Sequence, residues 1–271
     1  IMAVGAAVRL LASELRNKRE DPAVVVLDER GTFAVSLLSG HGGGNELANK
    51  VAHLLGAQPV VTTASEVSAT IAVDLLGKEF GWELENSHNA TAVAASLVNG
   101  EPVGIFQDAG ERNWWRRDEP LPANVHIFAD IESLGKSDCR AAIIITDRIL
   151  NEETEMPSTA AVIYRPRSLV VGIGCNRGTS AVEIEKAVTS LFSEHHLAIR
   201  SIRNIATIDL KKNEAGLLEF ARTYGLPVEY FNKDALSKVQ FPSAPSPTVL
   251  KHVGTAAVCE AAAILGSRSP V

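Results

Sequence analysis

The sequence is short of cysteine, of long apolar runs and of positive charge, and each shortage excludes a class of protein. Its 271 residues include three cysteines, which are widely separated and odd in number. They suggest neither a disulfide framework nor a Cys-pair zinc site, and they fit a reducing cytoplasm. No apolar run approaches the roughly 18 residues of a membrane span, and no signal peptide opens the sequence. We therefore expect a cytoplasmic protein without a membrane partner.

The charge balance argues against one class of partner. The chain carries 26 Lys and Arg against 32 Asp and Glu, a net charge of −6 at pH 7. Nonspecific nucleic-acid binding requires a surplus of cations that neutralise phosphates. We therefore expect no nucleic-acid partner, and any anionic ligand must meet local cationic patches. The sequence does not set the oligomeric state, and a homodimer stays open.

Strand and helix patterns alternate along both ends of the chain, which predicts layered α/β structure. The first part is predicted to contain a helix after Gly5, strands over 23–27 and 32–35 joined as a hairpin, a glycine loop over 39–44, a helix over 45–55 and a strand over 58–63. The last part is predicted to contain strands over 168–173, 202–208 and 227–231 and helices from Ser180, over 213–224 and over 255–265. Ser180 and Glu183 have the spacing of a capping box.

The composition changes between about residues 80 and 165, where adjacent tryptophans, several prolines and an acidic stretch over 151–155 occur. Strands are predicted there over 103–106, 125–128 and 141–146, and a helix over 89–98. Residues 165–167 are interpreted as a linker, because a residue before proline is pushed out of the helical region.

The predicted fold class is α/β, with two α/β/α layered domains joined by a smaller, irregular α/β middle segment. The predicted domains are residues 1–78, 79–166 and 167–271. The chain opens at Ile1 on an apolar stretch that resembles the end of a strand, so we expect the first domain to be incomplete at its start.

The glycine loop over 39–44 is the segment most informative about chemistry. Glycines let the backbone approach a ligand closely, and amides at a helix N-terminus attract negative charge. The loop is therefore a natural anion or oxyanion site. His41 is the only side chain in it of a type that transfers protons at neutral pH. A tight turn with a solvated histidine is the alternative, and the sequence leaves both open.

A second glycine loop, over 172–178, also connects an apolar strand to a helix and could hold a phosphate or carboxylate. It is not a dinucleotide fingerprint, because three residues separate Gly174 from Gly178 where that fingerprint has two. Packing and turn formation explain the same glycines, so both interpretations stay open. No zinc, iron or P-loop pattern appears, and no metal site is predicted.

A polar junction follows the strand predicted over 202–208. Asp209 and Glu214 are candidate acid/base groups there, and Lys211 is a candidate anchor for a substrate carboxylate. Functional groups of α/β proteins often gather at such strand ends. Helix capping and surface solvation explain the same residues.

Taken together, these ordered segments resemble the CbiG family of cobalamin biosynthesis, the cobalt-precorrin-5A hydrolases. The matching segments are 1–9, 18–28, 37–48 and 59–64 in the first part and 172–179, 207–217 and 253–261 in the last part. The middle is weakly matched, and family members carry further strands and helices before Ile1.

The resemblance implies a reaction on a cobalt-bearing, ring-contracted tetrapyrrole that has many carboxylate arms and a lactone. Water opens the lactone, and a two-carbon unit leaves as acetaldehyde to give cobalt-precorrin-5B. The enzyme would be a carbon–carbon bond hydrolase. Cobalt is carried by the substrate and the electron-poor macrocycle accepts the electrons, so no protein cofactor is expected. A noncatalytic binding or carrier protein for a cobalt-corrinoid intermediate is the alternative.

The resemblance and the residue patterns together suggest roles for individual residues. We assign His41 as the general base, with Asp209 and Glu214 as reserve acid/base groups. Lys211 and Arg177 would bind substrate carboxylates. The oxyanion would meet the amides of Gly42, Gly43 and Gly44. The other predicted substrate contacts are Ser39, Gly40, Asn45, Thr62, Thr63, Gly172, Gly174, Gly178 and Thr207. The two terminal domains would face each other across a cleft.

Overall fold

The computed structural model describes residues 1–16, 20–63, 70–115, 120–151, 159–240 and 258–268. It contains three β-sheets with helices packed on them, so the predicted α/β class is confirmed. The predicted start of the last helix, residues 255–257, and most of the acidic stretch lie outside the described residues. Within those ranges, no helix is both long and apolar enough to cross a membrane.

The N-terminal part is a three-stranded sheet covered mainly by one helix. Its elements are α1 (Val4–Leu11), β1 (Val24–Leu27), β2 (Phe33–Leu38), α2 (Gly44–Leu55) and β3 (Gln58–Val60). β1 and β2 form the predicted hairpin, and Asp28 closes it by accepting a hydrogen bond from the amide of Phe33 at 2.7 Å. α2 then returns the chain so that β3 pairs parallel with β2. This crossover places the glycine loop between β2 and α2.

The middle segment contains the largest of the three sheets. Its elements are β4 (Glu83–Leu84), α3 (Ala90–Val98), β5 (Val103–Gln107), β6 (Val125–Phe128), α4 (Ile131–Gly135), β7 (Ala141–Ile145) and β8 (Ala160–Arg165). The strand order is β4-β8-β7-β5-β6, and all pairs are parallel except β4 with β8. Alternate residues of β7 face two separate cores: Ile143 packs with Trp82, and Ile144 packs with Leu134. The strand is therefore buried on both faces, as parallel strands usually are.

The sequence analysis predicted no strand over Ala160–Arg165, where the structure has β8. The interpretation of 165–167 as a linker was wrong for Arg165, which is the last residue of β8. Arg165 is 3% exposed, and its guanidinium pairs with Glu85 and donates to the carbonyl of Thr146 at 3.2 Å. Such a side chain is buried only because these partners satisfy it.

The C-terminal part is an α/β/α unit around a three-stranded parallel sheet. Its elements are β9 (Leu169–Gly172), α5 (Ala181–Glu194), β10 (Ile202–Ile208), α6 (Ala215–Thr223), β11 (Val228–Phe231), α7 (Lys233–Ser237) and α8 (Cys259–Ser267). α5 and α6 share one core with the sheet, and α8 packs in the other. The capping box of Ser180 and Glu183 is confirmed. Because the strands are parallel, the loops that follow β9 and β10 meet at one edge.

Backbone hydrogen bonds join the middle segment to the C-terminal unit. The amide of Ala198 donates to the carbonyl of Asp147 at 2.7 Å, and the amide of Ile149 donates to the carbonyl of His196 at 2.7 Å. The hydroxyl of Ser168 also donates to the Asp147 carboxylate at 2.7 Å. The residues that follow β7 therefore fix the position of the C-terminal unit.

We expect Gly172→Ala to destabilise the protein by about 1–3 kcal/mol, the usual cost of overpacking. A Cβ at Gly172 would lie 1.8 Å from the carbonyl oxygen of Cys259, so β9 and α8 would have to separate. Gly5→Ala is the matched control, because a Cβ there meets nothing within 4 Å. Urea unfolding followed by circular dichroism measures both variants. Equal stability of Gly172→Ala and the wild type would contradict the close packing of β9 against α8.

Candidate functional site

The glycine loop has a backbone conformation that depends on two left-handed residues. Ser39 has φ 51° and ψ 48°, a single 3₁₀ turn spans Gly40–Gly42, and Gly43 has φ 108° before α2 begins. The hydroxyl of Ser39 donates to the carbonyl of Asp21 at 2.6 Å, and its carbonyl accepts from the amide of Gly44 at 3.0 Å. These bonds hold Ser39 in a conformation that few non-glycine residues adopt. They also occupy the Gly44 amide, one of the three predicted oxyanion donors.

A buried polar network supports the glycine loop. Asn45 is 8% exposed; its side chain accepts from the hydroxyl of Ser36 at 2.9 Å and donates to that of Thr63 at 3.0 Å. A Cβ at Gly40 would lie 2.7 Å from the Thr63 hydroxyl, so the loop lies directly on this network. Asn45 and Thr63 thus position the loop, while Thr62 beside them is exposed. Substrate contact by these residues stays a prediction.

His41 is not solvated, because its imidazole lies between the loop and the middle segment. Its side chain is 11% exposed, and Nδ1 is 2.7 Å from Oδ1 of Asp74. The sequence analysis missed Asp74, although a single acidic residue follows the apolar run Ile71, Ala72 and Val73. An ionisable side chain inside such a run is the signal that could have found it. The pair of a histidine and a carboxylate is suited to proton transfer.

The polar junction after β10 forms a second site with the loop after β9. Glu214 accepts a hydrogen bond from the amide of Gly178 at 3.1 Å and one from Lys211 Nζ at 3.0 Å. The Gly178 bond, followed by the Lys211 bond, holds the pKa of Glu214 below its ordinary value, and the charge of Arg177 adds to the effect. Glu214 is therefore ionised at neutral pH. These contacts favour a positioning role for it over the predicted acid/base role.

The other residues around this second site differ in their surroundings. Thr207 is fully buried, and its hydroxyl donates to the carbonyl of Ile173 at 2.6 Å. Gly172 lies against α8, and Gly174 is exposed. Burial raises the pKa of the Cys175 thiol, so this side chain stays protonated at neutral pH.

Cations are available at the same sheet edge. Arg177 is exposed on the loop, while Lys211 is only 18% exposed because it pairs with Glu214. Asp209 begins a short 3₁₀ turn directly after β10. A guanidinium and an ammonium beside a glycine loop are suited to binding carboxylates.

The structure thus brings the predicted residues into two groups. The loop cluster consists of Ser39, Gly40, His41, Gly42, Gly43, Gly44, Asn45, Thr62 and Thr63. The sheet-edge cluster consists of Gly172, Gly174, Arg177, Gly178, Thr207, Asp209, Lys211 and Glu214. Each is held by its own hydrogen bonds, and a cleft between them stays a prediction. Across the described ranges, no group of three or more His, Cys, Asp or Glu side chains is arranged to bind a metal ion.

Comparison with known proteins places this arrangement in a family. Three family models match successive parts of the chain: Cobalamin synthesis G N-terminal over 1–66, Cobalamin biosynthesis central region over 71–166 and Cobalamin synthesis G C-terminus over 169–271. A Priestia megaterium protein named cobalt-precorrin-5A hydrolase is 44% identical over 268 residues, which are 98% of this chain and 71% of that protein. The chain belongs to the CbiG family. The resemblance inferred from the sequence is thereby confirmed.

A second sequence relative agrees with the CbiG assignment. A Salmonella typhimurium protein, also named cobalt-precorrin-5A hydrolase, is 33% identical over 99% of this chain and 75% of its own length. The crystal structure of a cobalamin biosynthesis protein G homolog from Sulfolobus solfataricus is 21% identical, with a TM-score of 0.38, and the match covers 99% of this chain and 74% of that one. The assignment rests on the family models and the sequence relatives.

We expect Asn45→Ala to destabilise the protein by about 1–3 kcal/mol, the cost of leaving buried polar groups without partners. Ser36 and Thr63 would both lose the side chain that they contact. Asn49→Ala is the matched control, because Asn49 is exposed on the same helix. Thermal and urea unfolding compare the two variants. If Asn45→Ala and Asn49→Ala lose the same stability, the network does not hold the loop.

The lowered pKa of Glu214 predicts a pH dependence of stability. A carboxyl whose pKa is lower in the folded state stabilises the protein above its unfolded pKa, and this contribution is lost as the pH falls through the folded pKa. Between about pH 5 and pH 3, the wild type should therefore lose more stability than Glu214→Gln. Urea unfolding across this range measures the difference, and Glu219→Gln, at an exposed position of α6, is the control. Parallel curves for wild type and Glu214→Gln would contradict the prediction.

Proposed function

We propose that this CbiG chain hydrolyses the lactone of cobalt-precorrin-5A with loss of acetaldehyde, which gives cobalt-precorrin-5B in anaerobic cobalamin biosynthesis. The observation that carries the proposal is the 44% identity, over 98% of the chain, with a relative named cobalt-precorrin-5A hydrolase. The carrier alternative is not favoured, because both relatives described above are named as hydrolases.

The contact of His41 with Asp74 in the loop cluster supports His41 as the base for the first step. His41 takes a proton from water, and the resulting hydroxide adds to the lactone carbonyl. Its side chain is 11% exposed, so bulk water reaches little of the ring. The oxyanion is assigned to the amides of Gly42 and Gly43, since the Gly44 amide already donates to Ser39.

The later steps need no redox partner from the protein. Lactone opening gives a carboxylate and an alcohol, and loss of the alcohol proton gives an alkoxide. The alkoxide then collapses in a retro-aldol-like step: its C–O bond becomes the carbonyl of acetaldehyde, and the C–C bond to the macrocycle breaks. The macrocycle accepts that electron pair and later a proton. We therefore propose that cobalt enters with the substrate and that the protein holds no cofactor of its own.

The sheet-edge cluster is proposed to hold the carboxylate arms of the substrate. Arg177 is exposed and meets an arm directly, whereas Lys211 must share its ammonium with Glu214. Such local cations are needed because the whole chain has a net charge of −6. Asp209 stays the reserve acid/base group in this scheme.

Location and assembly are also proposals. We propose that the protein is cytoplasmic and that it can form a homodimer. Cell fractionation tests the first, and light scattering of the purified protein tests the second.

We expect His41→Ala to lower the rate of acetaldehyde release by roughly 10²- to 10⁴-fold, the usual contribution of a general base, and to leave substrate binding largely intact. The assay is an anaerobic incubation with cobalt-precorrin-5A. Acetaldehyde is trapped, and the mass of the corrinoid product is measured by mass spectrometry. His53→Ala is the matched control, because His53 is exposed on α2. Unchanged release in His41→Ala would remove His41 from the mechanism. Bound substrate without any release by the wild type would favour the carrier.

A further inference from the structure

Asp74 contacts the imidazole of His41 from a different part of the chain. Its Oδ1 lies 2.7 Å from Nδ1 of His41, and 42% of its side chain is exposed. The histidine belongs to the glycine loop before α2, whereas Asp74 precedes the strands of the middle sheet. The contact therefore joins the loop cluster to the middle segment.

The backbone beside Asp74 is anchored in the core. Val73 is 2% exposed and belongs to the hydrophobic cluster of the middle sheet. The hydroxyl of Tyr164, in β8, donates to the carbonyl of Val73. Because Tyr164 is itself 1% exposed, this hydrogen bond is buried within the core. The backbone next to Asp74 is thus anchored, while its carboxylate is partly in solvent.

We propose that Asp74 is a positioning residue for His41. Its carboxylate accepts the Nδ1 proton of the neutral imidazole, which fixes the tautomer and the orientation of the ring. The lone pair of Nε2 is then left to take the proton from the attacking water. This role rests on the proposed function of His41, and it adds a residue that the sequence analysis did not assign.

Assembly of the site depends on the same contact between His41 and Asp74. A base held by a carboxylate from another segment has its working tautomer only when the N-terminal part is docked on the middle segment. The contact of His41 with Asp74 therefore couples proton transfer to the docking of the N-terminal part on the middle segment.

The test compares Asp74→Asn with Asp108→Asn. Asp108 is an ion-paired aspartate of the same segment, 2.9 Å from Arg148, so its substitution also removes a charge and a salt bridge. We expect Asp74→Asn to lower kcat for acetaldehyde release roughly tenfold to a hundredfold with KM nearly unchanged, as loss of a partner that orients a functional histidine does. Asp108→Asn should keep the wild-type kcat. Asp74→Glu, which retains the carboxylate, should recover part of the rate.

A second measurement needs no turnover. Nitrogen-15 NMR of the histidine rings in the free protein distinguishes the two neutral tautomers, and His41→Ala identifies the resonance. The wild type should show the Nδ1–H form at His41, and Asp74→Asn should move the population toward the Nε2–H form. A purely structural role for Asp74 would not change this ratio without unfolding.

The outcomes separate the two ideas. If the wild type releases no acetaldehyde, the proposed function fails, and the ring spectrum alone decides the role of Asp74. If the wild type is active and Asp74→Asn retains its kcat, or if the spectrum of His41 is the same in both proteins, the positioning role is overturned.

Discussion

Burial of the middle sheet on both faces is the constraint on which the rest of the structure depends. All residues of β7 are fully buried, and the alternation of their side chains fills two cores. From this sheet, Tyr164 reaches the backbone of Val73 and so fixes the residue that contacts His41. At the end of β7, Asp147 binds the C-terminal unit through its backbone and its carboxylate. The middle sheet thus holds the backbone next to Asp74 and positions the C-terminal unit that carries the sheet-edge cluster.

The conformation of the glycine loop depends on hydrogen bonds from the residues around it. Left-handed Ser39 is unfavourable by itself, and its hydrogen bonds to Asp21 and Gly44 offset that cost. Beneath it, Asn45 contacts two half-buried hydroxyls, so the loop rests on a polar network instead of an apolar one. Such a network is stable only when every member has a partner, and it then specifies a single arrangement.

Local patterns predicted most of the elements because their signals lie within a few residues. The Ser180 capping box depends on a spacing of three, and β9 shows a continuous apolar run. β8 was missed because its signal comes from burial between β4 and β7, which alanines and flanking prolines do not reveal. The contact of His41 with Asp74 could not be predicted either, since it depends on how two segments of the chain pack. A sequence pattern can identify His41 as a candidate within one loop. It does not identify Asp74, which contacts His41 from a distant segment.

The two clusters differ in how their ionisable groups are held. Glu214 receives hydrogen bonds from both Gly178 and Lys211, and its lowered pKa makes it a weak base that remains an anion through neutral pH. It therefore stabilises the loop and orients the lysine. His41 instead contacts one carboxylate, and a neutral imidazole keeps one nitrogen able to accept a proton when the other is held. The proposed general base therefore belongs to the loop cluster, where a carboxylate contacts the ring. The residues proposed to bind carboxylates belong to the sheet-edge cluster, where Arg177 is exposed.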